Sequence, residues 1–292
     1  MLAQIILTPT EAKKFIAKAI VQVEVVKRAA EKGIIAIHPS STTYFIAEEF
    51  LGKKPSSNTW VCGVIAPKGA CMEMGPTSSL PPAEVRNRPR DPGDFKHTYV
   101  IRQGQFSTHI PLSQILESMG PGDVYFKGAN ALDPQGNLGV LAANPVEGGT
   151  IGRVLATCRR RGFTILWPTG LEKLIPTPIA EAAKVARRKS FTYSMGMPCS
   201  LIPCEGKAFT EIDAVQILGG AKAVPISAGG LGGAEGAFNF AVQGSEAEVQ
   251  KVIQVAEQCK GARLPPVRMN SCQDCPIPHC FSMKDKPWVE RV

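Results

Sequence analysis

The sequence has no long apolar run and no segment laid out like a signal peptide. No stretch approaches the ~18–20 apolar residues that a membrane-spanning helix needs. These absences argue against a membrane protein and against an exported one. We therefore expect a cytoplasmic protein with no membrane partner.

Aromatic residues are also scarce, at 7% of the 292 residues, and no nucleic-acid-binding motif is recognisable. The net charge of +8 would suit a nucleic-acid partner, but basic and acidic residues interleave nearly everywhere. The exceptions are two short clusters, Arg153–Arg161 and Arg187–Lys189. Such clusters suit a phosphorylated small molecule at least as well. We expect an anionic small-molecule ligand and no nucleic-acid partner.

The nine cysteines argue for thiols or metal ligands rather than a disulfide framework if the protein is cytoplasmic. Cys272, Cys275 and Cys280 follow the spacing C-x2-C-x4-C, and His279 stands beside the last. Three thiolates at this spacing can surround zinc, with His279 as the weakest ligand, or an iron–sulfur cluster that takes its fourth ligand from elsewhere. The alternative is a tail with free thiols or an adventitious disulfide.

The first 190 residues alternate between helical and strand patterns. Thr8-Pro9-Thr10-Glu11 is a capping-box helix start, and apolar residues recur at helical spacing from there to Gly33. The apolar segment Ile34–Ile37 is typical of a strand buried on both faces. Because the alternation continues, we expect an α/β fold with an open, mostly parallel sheet covered by helices on both faces.

Three loops follow predicted strands, at 38–43, 127–133 and 169–173, and should open on the same edge of this sheet. In the first loop, hydroxyl side chains stand at the start of a helix, where free backbone N–H groups predict an anion site. The alternative is that Ser41 or Thr42 merely caps the helix. His38, beside a proline at a strand end, is more typical of a structural hydrogen bond than of catalysis.

The region after the third loop predicts a second unit. Its β-α-β-β-α order over 199–265 matches a ferredoxin-like α+β domain, which would follow a first domain at 1–190 and precede a cysteine-rich tail at 266–292. The glycine-rich segment 228–236 has neither the G-x-G-x-x-G register nor the Lys-Ser/Thr of a phosphate loop, so no nucleotide cofactor motif is present. A wide hairpin or a subunit contact is the interpretation for this segment, and we expect a homo-oligomer. The proline-rich excursion at 67–96 is either a lid or a mobile surface segment.

Short motifs in the first domain resemble the superfamily of ribose-5-phosphate isomerase, glucosamine-phosphate deaminase and class I CoA transferases. Ser40-Ser41-Thr42-Thr43-Tyr44 is similar to the family's phosphate loop, and Gly128-Ala129-Asn130-Ala131-Leu132-Asp133 to the isomerase's Gly-Ala-Asp-Glu-Val-Asp. Pro168–Lys173 stands where the family has a strand and a short loop ending in lysine. The resemblance implies a sugar phosphate or CoA ester as ligand, and an isomerase or acyl transferase as the activity.

Asn130 departs from the family pattern, and Glu147 matches it only faintly. Asn130 stands where the isomerase has an aspartate, and an amide can donate a hydrogen bond but cannot act as a base. Glu147, ahead of glycines, is faintly similar to the glutamate nucleophile of CoA transferases. The alternatives are a ligand-sensing or structural module without chemistry, and a metal or iron–sulfur protein that works beside redox partners.

The predicted site therefore has two parts. The reacting end of the ligand would meet Asn130, Asp133 and Glu147. The anion would be held by hydroxyls, glycine amides and cations, namely Ser40, Ser41, Thr42, Thr43, Lys127, Gly128, Gly148, Gly149, Thr150, Arg153 and Lys173.

Overall fold

A computed structural model describes residues 1–55, 63–71, 98–143 and 148–266, together with residues 272, 280, 283, 286, 288 and 289. Most of the 67–96 excursion, Glu147 and Cys275 lie outside these residues. Within the described part of the chain, no helix is both long enough and apolar enough to cross a membrane.

The strands and helices alternate along most of the chain. The strands are β1 (Leu2–Leu7), β2 (Ile34–Ile37), β3 (Ile65–Ala66), β4 (Gly69–Ala70), β5 (Thr98–Arg102), β6 (Gln105–Ile110), β7 (Val124–Phe126), β8 (Ala131–Leu132), β9 (Leu138–Ala142), β10 (Thr164–Pro168), β11 (Ser200–Cys204), β12 (Ala208–Phe209), β13 (Lys222–Ala228) and β14 (Phe238–Gln243). The helices are α1 (Pro9–Ile20), α2 (Glu24–Lys32), α3 (Ser41–Leu51), α4 (Leu112–Ser118), α5 (Gly149–Arg161), α6 (Ile179–Val185), α7 (Glu211–Gly219) and α8 (Glu246–Cys259), with 3₁₀ turns at Leu171–Lys173 and Arg188–Ser190.

The capping box predicted at the start of the chain is present. Thr8 accepts from the Glu11 backbone N–H, and Glu11 accepts from the backbone N–H of Thr8. The single long helix expected from there to Gly33 is instead two helices, because Val23 takes an extended backbone as the N-cap of α2. β-Branched valines in this stretch lower the preference for a continuous helix. Strand β1, which the sequence patterns did not reveal, precedes both helices.

The central sheet has six strands in the order β12-β10-β7-β2-β5-β6. The first four run parallel, and β5 is antiparallel to both of its neighbours, β2 and β6, so the sheet is mixed rather than wholly parallel. Its side chains alternate between two apolar layers: Ile35 and Phe126 pack with α1, α2 and α3, whereas Ala36 and Tyr125 pack with α4 and α5. Helices therefore cover both faces, as expected.

The described strands beyond residue 199 belong to sheets that include strands from earlier parts of the chain. Strand β12 extends the central sheet, and β11 pairs with β9. Strands β13 and β14 instead form a three-stranded antiparallel sheet with β1 from the start of the chain. The α/β class is confirmed, and the ferredoxin-like arrangement is not.

The parallel strands bring their carboxyl ends to one edge. His38 follows β2, Lys127 follows β7, Thr169 follows β10 and Thr210 follows β12. The prediction that the three loops open on the same edge is therefore confirmed, and a fourth strand end joins them.

Candidate functional site

The first loop is organised by the start of α3. Ser40 is the N-cap: its hydroxyl accepts from the backbone N–H of Thr43 at 3.3 Å. The Thr43 hydroxyl lies 2.9 Å from Ser40 Oγ and donates to the carbonyl of His38. Between them, Thr42 is 0% exposed, and its Oγ1 finds no hydrogen-bond partner in the described part of the chain. Capping thus uses Ser40 and Thr43 and leaves the Thr42 hydroxyl without a partner among these residues.

The three predicted loops meet at Gly128. A Cβ placed on this glycine would lie 3.3 Å from Ser40 Oγ and 3.9 Å from the carbonyl oxygen of Pro168. The glycine therefore permits a close approach of the three strand ends. Thr169, the residue after Pro168, resembles Thr42 in being 0% exposed with a hydroxyl that has no partner among the described residues.

Beside these hydroxyls lies a cluster of lysines and glutamates. The Lys13 ammonium, from α1, faces Glu172 Oε1 at 2.6 Å, and both side chains are largely buried. Glu211, at the start of α7, is 1% exposed and accepts the backbone N–H of Leu171 at 3.0 Å and 3.2 Å with its two oxygens.

The two carboxyl groups converge on Gly170. A Cβ there would lie 1.9 Å from Glu172 Oε2 and 3.2 Å from Glu211 Oε1, so these two oxygens are within about 5 Å of each other. Burial, and then the charge of Glu172, raise the pKa of Glu211 to about 8. Glu211 is therefore protonated at neutral pH, and Glu172 is the carboxylate left to face the lysines.

Lys173 is a desolvated cation that the described residues do not pair. Burial lowers its pKa to about 8, and the charges of Lys13 and Lys127 lower it further against the opposing effect of Glu172 and Glu211. Its ammonium makes no hydrogen bond and no ion pair with the residues that the structure describes. Lys127 lies nearby, 9% exposed, and donates to the Gly128 carbonyl at 3.2 Å. A desolvated lysine without a counter-ion attracts an anion.

His38 closes the other side of this edge. Its Nδ1 lies 3.2 Å from the hydroxyl of Tyr125, a side chain that is 0% exposed. Burial, aided by the charge of Lys127, holds the pKa of His38 well below its usual range. The structural hydrogen bond expected for His38 is therefore present, and the residue also neighbours Lys127.

Helix α5 starts at the same edge of the sheet. Ile151, near its start, packs in the apolar cluster that contains Ala129 and Trp167. Val154, one turn further along the helix, packs in the cluster that contains Phe163. Gly148 caps the helix with a left-handed backbone (φ 72°) and no side-chain hydrogen bond. Gly149, Thr150 and Arg153 are half-buried in the first turns. Glu147 lies outside the described residues, so its predicted role as a nucleophile stays a prediction.

Asn130 and Asp133 both accept hydrogen bonds from neighbouring parts of the protein. The Asn130 side-chain oxygen accepts the backbone N–H of Leu141 at 3.0 Å. Asp133, 2% exposed, accepts four hydrogen bonds, from the backbones of Gln135, Asn137 and Ile179 and from the Asn137 amide. Burial alone would raise the pKa of Asp133, but these hydrogen bonds lower it. Their predicted catalytic roles are untested, and the carboxylate at the charged cluster is Glu172.

Only a few residues of the cysteine-rich tail are among those that the structure describes. Cys272 and Cys280 are half-buried, and Cys275 lies outside the described residues. No group of three potential metal ligands occurs among the residues that the structure describes. The zinc or iron–sulfur expectation stays a prediction.

No protein-family model matches this chain, and no curated protein or solved structure matches it either. The superfamily resemblance therefore remains a hypothesis that depends on the short motifs alone.

Four residues of the charged cluster were not among the predicted site residues: Lys13, His38, Glu172 and Glu211. Lys13 precedes another lysine in an amphipathic helix and Glu211 follows an N-cap threonine, where an acidic residue is ordinary. A weak signal existed for Glu172, which lies in a loop that the sequence placed at the ligand edge.

Proposed function

We propose that this chain binds a phosphorylated small molecule, a sugar phosphate or a CoA ester, at the carboxyl edge of the central sheet. The observation that carries the proposal is Lys173, a desolvated ammonium that forms no ion pair with the described residues. With Glu211 protonated, Lys13 and Lys173 face one carboxylate charge among the described residues, that of Glu172. An anion would neutralise part of this excess positive charge.

The start of α3 supplies the second reason. A helix N-terminus offers backbone N–H groups and a partial positive charge to a phosphate. Here the N-terminus comes with two buried hydroxyls, Thr42 and Thr169, that have no partner among the described residues. Because buried polar groups are nearly always hydrogen-bonded, these hydroxyls favour a ligand oxygen as their partner.

If the site is catalytic, Glu172 is the carboxylate best placed for proton or acyl transfer. Its Oε1 is paired with Lys13, and its Oε2 makes no hydrogen bond to the described residues. A carboxylate in this position can act as a base or a nucleophile toward a ligand held by the neighbouring lysines.

A non-catalytic ligand-sensing module is the second candidate. The observation that favours it is that Asp133 accepts four hydrogen bonds from the protein, as a structural carboxylate does. Both candidates share the anion site.

The experiment is a thermal-shift screen of sugar phosphates, CoA esters and inorganic phosphate, run on the wild type and on Thr42→Val. A ligand at 100 times its Kd adds about 2.7 kcal/mol to the wild type. Thr42→Val should be as stable as the wild type without ligand, because it replaces a buried hydroxyl that has no partner among the described residues by a methyl group. It should respond less to the ligand.

Thr192→Val, at an exposed threonine, is the matched control and should respond like the wild type. No stabilisation by any of these anions, or an equal response from all three proteins, would contradict the proposed site.

A further inference from the structure

His38 is placed at the anion site by the pleat of the sheet. Side chains alternate between faces along a strand, so Tyr125 on β7 and Lys127, the residue directly after this strand, point the same way. Ala36 on β2 packs in the same apolar layer as Tyr125, and His38 follows it by two positions. His38 and Lys127 therefore stand side by side above Tyr125, and the charge of Lys127 acts on the imidazole.

The hydrogen bond to Tyr125 fixes which ring nitrogen carries the proton. The Tyr125 hydroxyl is fully buried, and His38 Nδ1 at 3.2 Å is its only hydrogen-bond partner in the described chain. A buried O–H group needs an acceptor, and in a neutral imidazole one nitrogen accepts while the other donates. When Tyr125 donates to Nδ1, the ring proton resides on Nε2.

The surroundings also keep this ring neutral. Burial and the neighbouring lysine both oppose a second proton on His38. Nε2 makes no hydrogen bond to any residue that the structure describes. Because Nδ1 is turned toward the buried tyrosine and the residue as a whole is half-buried, Nε2 is the nitrogen that a ligand can reach.

We infer that His38 is a ligand-binding residue of this site, which donates a hydrogen bond from Nε2 to an oxygen of the bound anion. The inference rests on the proposed anion site and adds to it a donor without charge. Lysines attract an anion from any direction, whereas an imidazole N–H locked by Tyr125 is directional and orients one oxygen. Tyr125 is then a positioning residue, since it acts only through His38.

The test uses nitrogen-15 NMR of the histidine side chains in the full-length protein. The His38 signals are assigned by their loss in His38→Gln. We expect a protonated Nε2 and an unprotonated Nδ1 near neutral pH, and a change in the Nε2–H signal when inorganic phosphate is added. In Tyr125→Phe, which lacks the hydroxyl, we expect a mixture of both tautomers.

Calorimetry separates this inference from the proposed function. We expect His38→Gln and Tyr125→Phe each to bind phosphate several-fold to about tenfold more weakly than the wild type. A proton on Nδ1 in the wild type would overturn the inference. This outcome needs only the wild-type protein and so does not depend on whether a variant folds. Phosphate binding with unchanged His38 signals would overturn it and leave the anion site standing. If calorimetry detects no phosphate binding, the anion site and the ligand role of His38 both fail.

Discussion

Replacing Glu211 by glutamine removes one buried ionisation while retaining its hydrogen bond. The amide oxygen of the substituted side chain can still accept the backbone N–H of Leu171, which both carboxyl oxygens of Glu211 accept in the wild type. The side chain is 1% exposed, so the variant changes little of the surface. The substitution therefore isolates the electrostatic contribution of this carboxyl group to folding.

The expected size follows from the pKa. Folding raises the pKa of Glu211 from 4.5 to about 8, chiefly by burial. The folded state thus binds the proton more tightly than the unfolded state does, so this group's contribution is fully present below pH 4.5 and is lost as the pH rises to about 8. One pKa unit corresponds to about 1.4 kcal/mol, which sets an upper limit of about 5 kcal/mol for the loss.

The assay is urea unfolding at pH 5, 6.5 and 8, followed by circular dichroism. We expect the wild type to lose stability across this range and Glu211→Gln to lose less, so that the variant is the more stable protein at pH 8. Glu31→Gln, at an exposed carboxyl on α2, is the control and should follow the wild type. Equal pH slopes for Glu211→Gln and the wild type would refute the buried, protonated carboxyl.

Three further substitutions or assays test separate parts of the structure. Gly170→Ala places a methyl group 1.9 Å from Glu172 Oε2 on an unstrained backbone (φ −69°). We expect the free energy of unfolding in urea to fall by about 1–3 kcal/mol and phosphate to bind more weakly. Unchanged values would contradict the packing of the two carboxyl groups. Asp133→Asn turns an amide donor toward backbone N–H donors, so calorimetric unfolding should show a loss of stability of about 2–4 kcal/mol. A variant that is as stable as the wild type and has lost only turnover would support Asp133 as a catalyst instead. Protein purified without oxygen should carry stoichiometric zinc or show iron–sulfur absorbance, and Cys272→Ser should lose it. A colourless, metal-free, folded wild-type protein would contradict the predicted metal site.

Local patterns predicted much of the fold because they act over a few residues. The Thr8–Glu11 capping box starts α1, and the apolar run Ile34–Ile37 forms a strand buried between two layers. The order of elements also placed the loops after β2, β7 and β10 on one edge of the sheet. By contrast, β1 pairs with β14, so that Leu2 lies opposite Gln243, and no local pattern signals such a distant partner.

The candidate site was harder to predict because its chemistry depends on pairs that are distant in the sequence. The Gly128–Asp133 motif suggested two reacting groups, yet Asp133 accepts the N–H of Ile179, which closes a structural contact 46 positions away. The pairs Lys13–Glu172 and His38–Tyr125 likewise form only when the fold brings separate elements together. Short motifs located the sheet edge of the candidate site, and tertiary packing decided which side chains lie there.

The central claim is that an anion binds at Lys173, and calorimetric titration of inorganic phosphate tests it most directly. At pH 7 the wild type should bind one phosphate per chain, and Lys173→Met should bind it at least about tenfold more weakly, because it loses a charge-assisted contact of about 1.5–3 kcal/mol. The matched variant Lys222→Met, at an exposed lysine on β13, should keep the wild-type affinity. Wild-type affinity in Lys173→Met, or no binding by the wild type, would contradict the account.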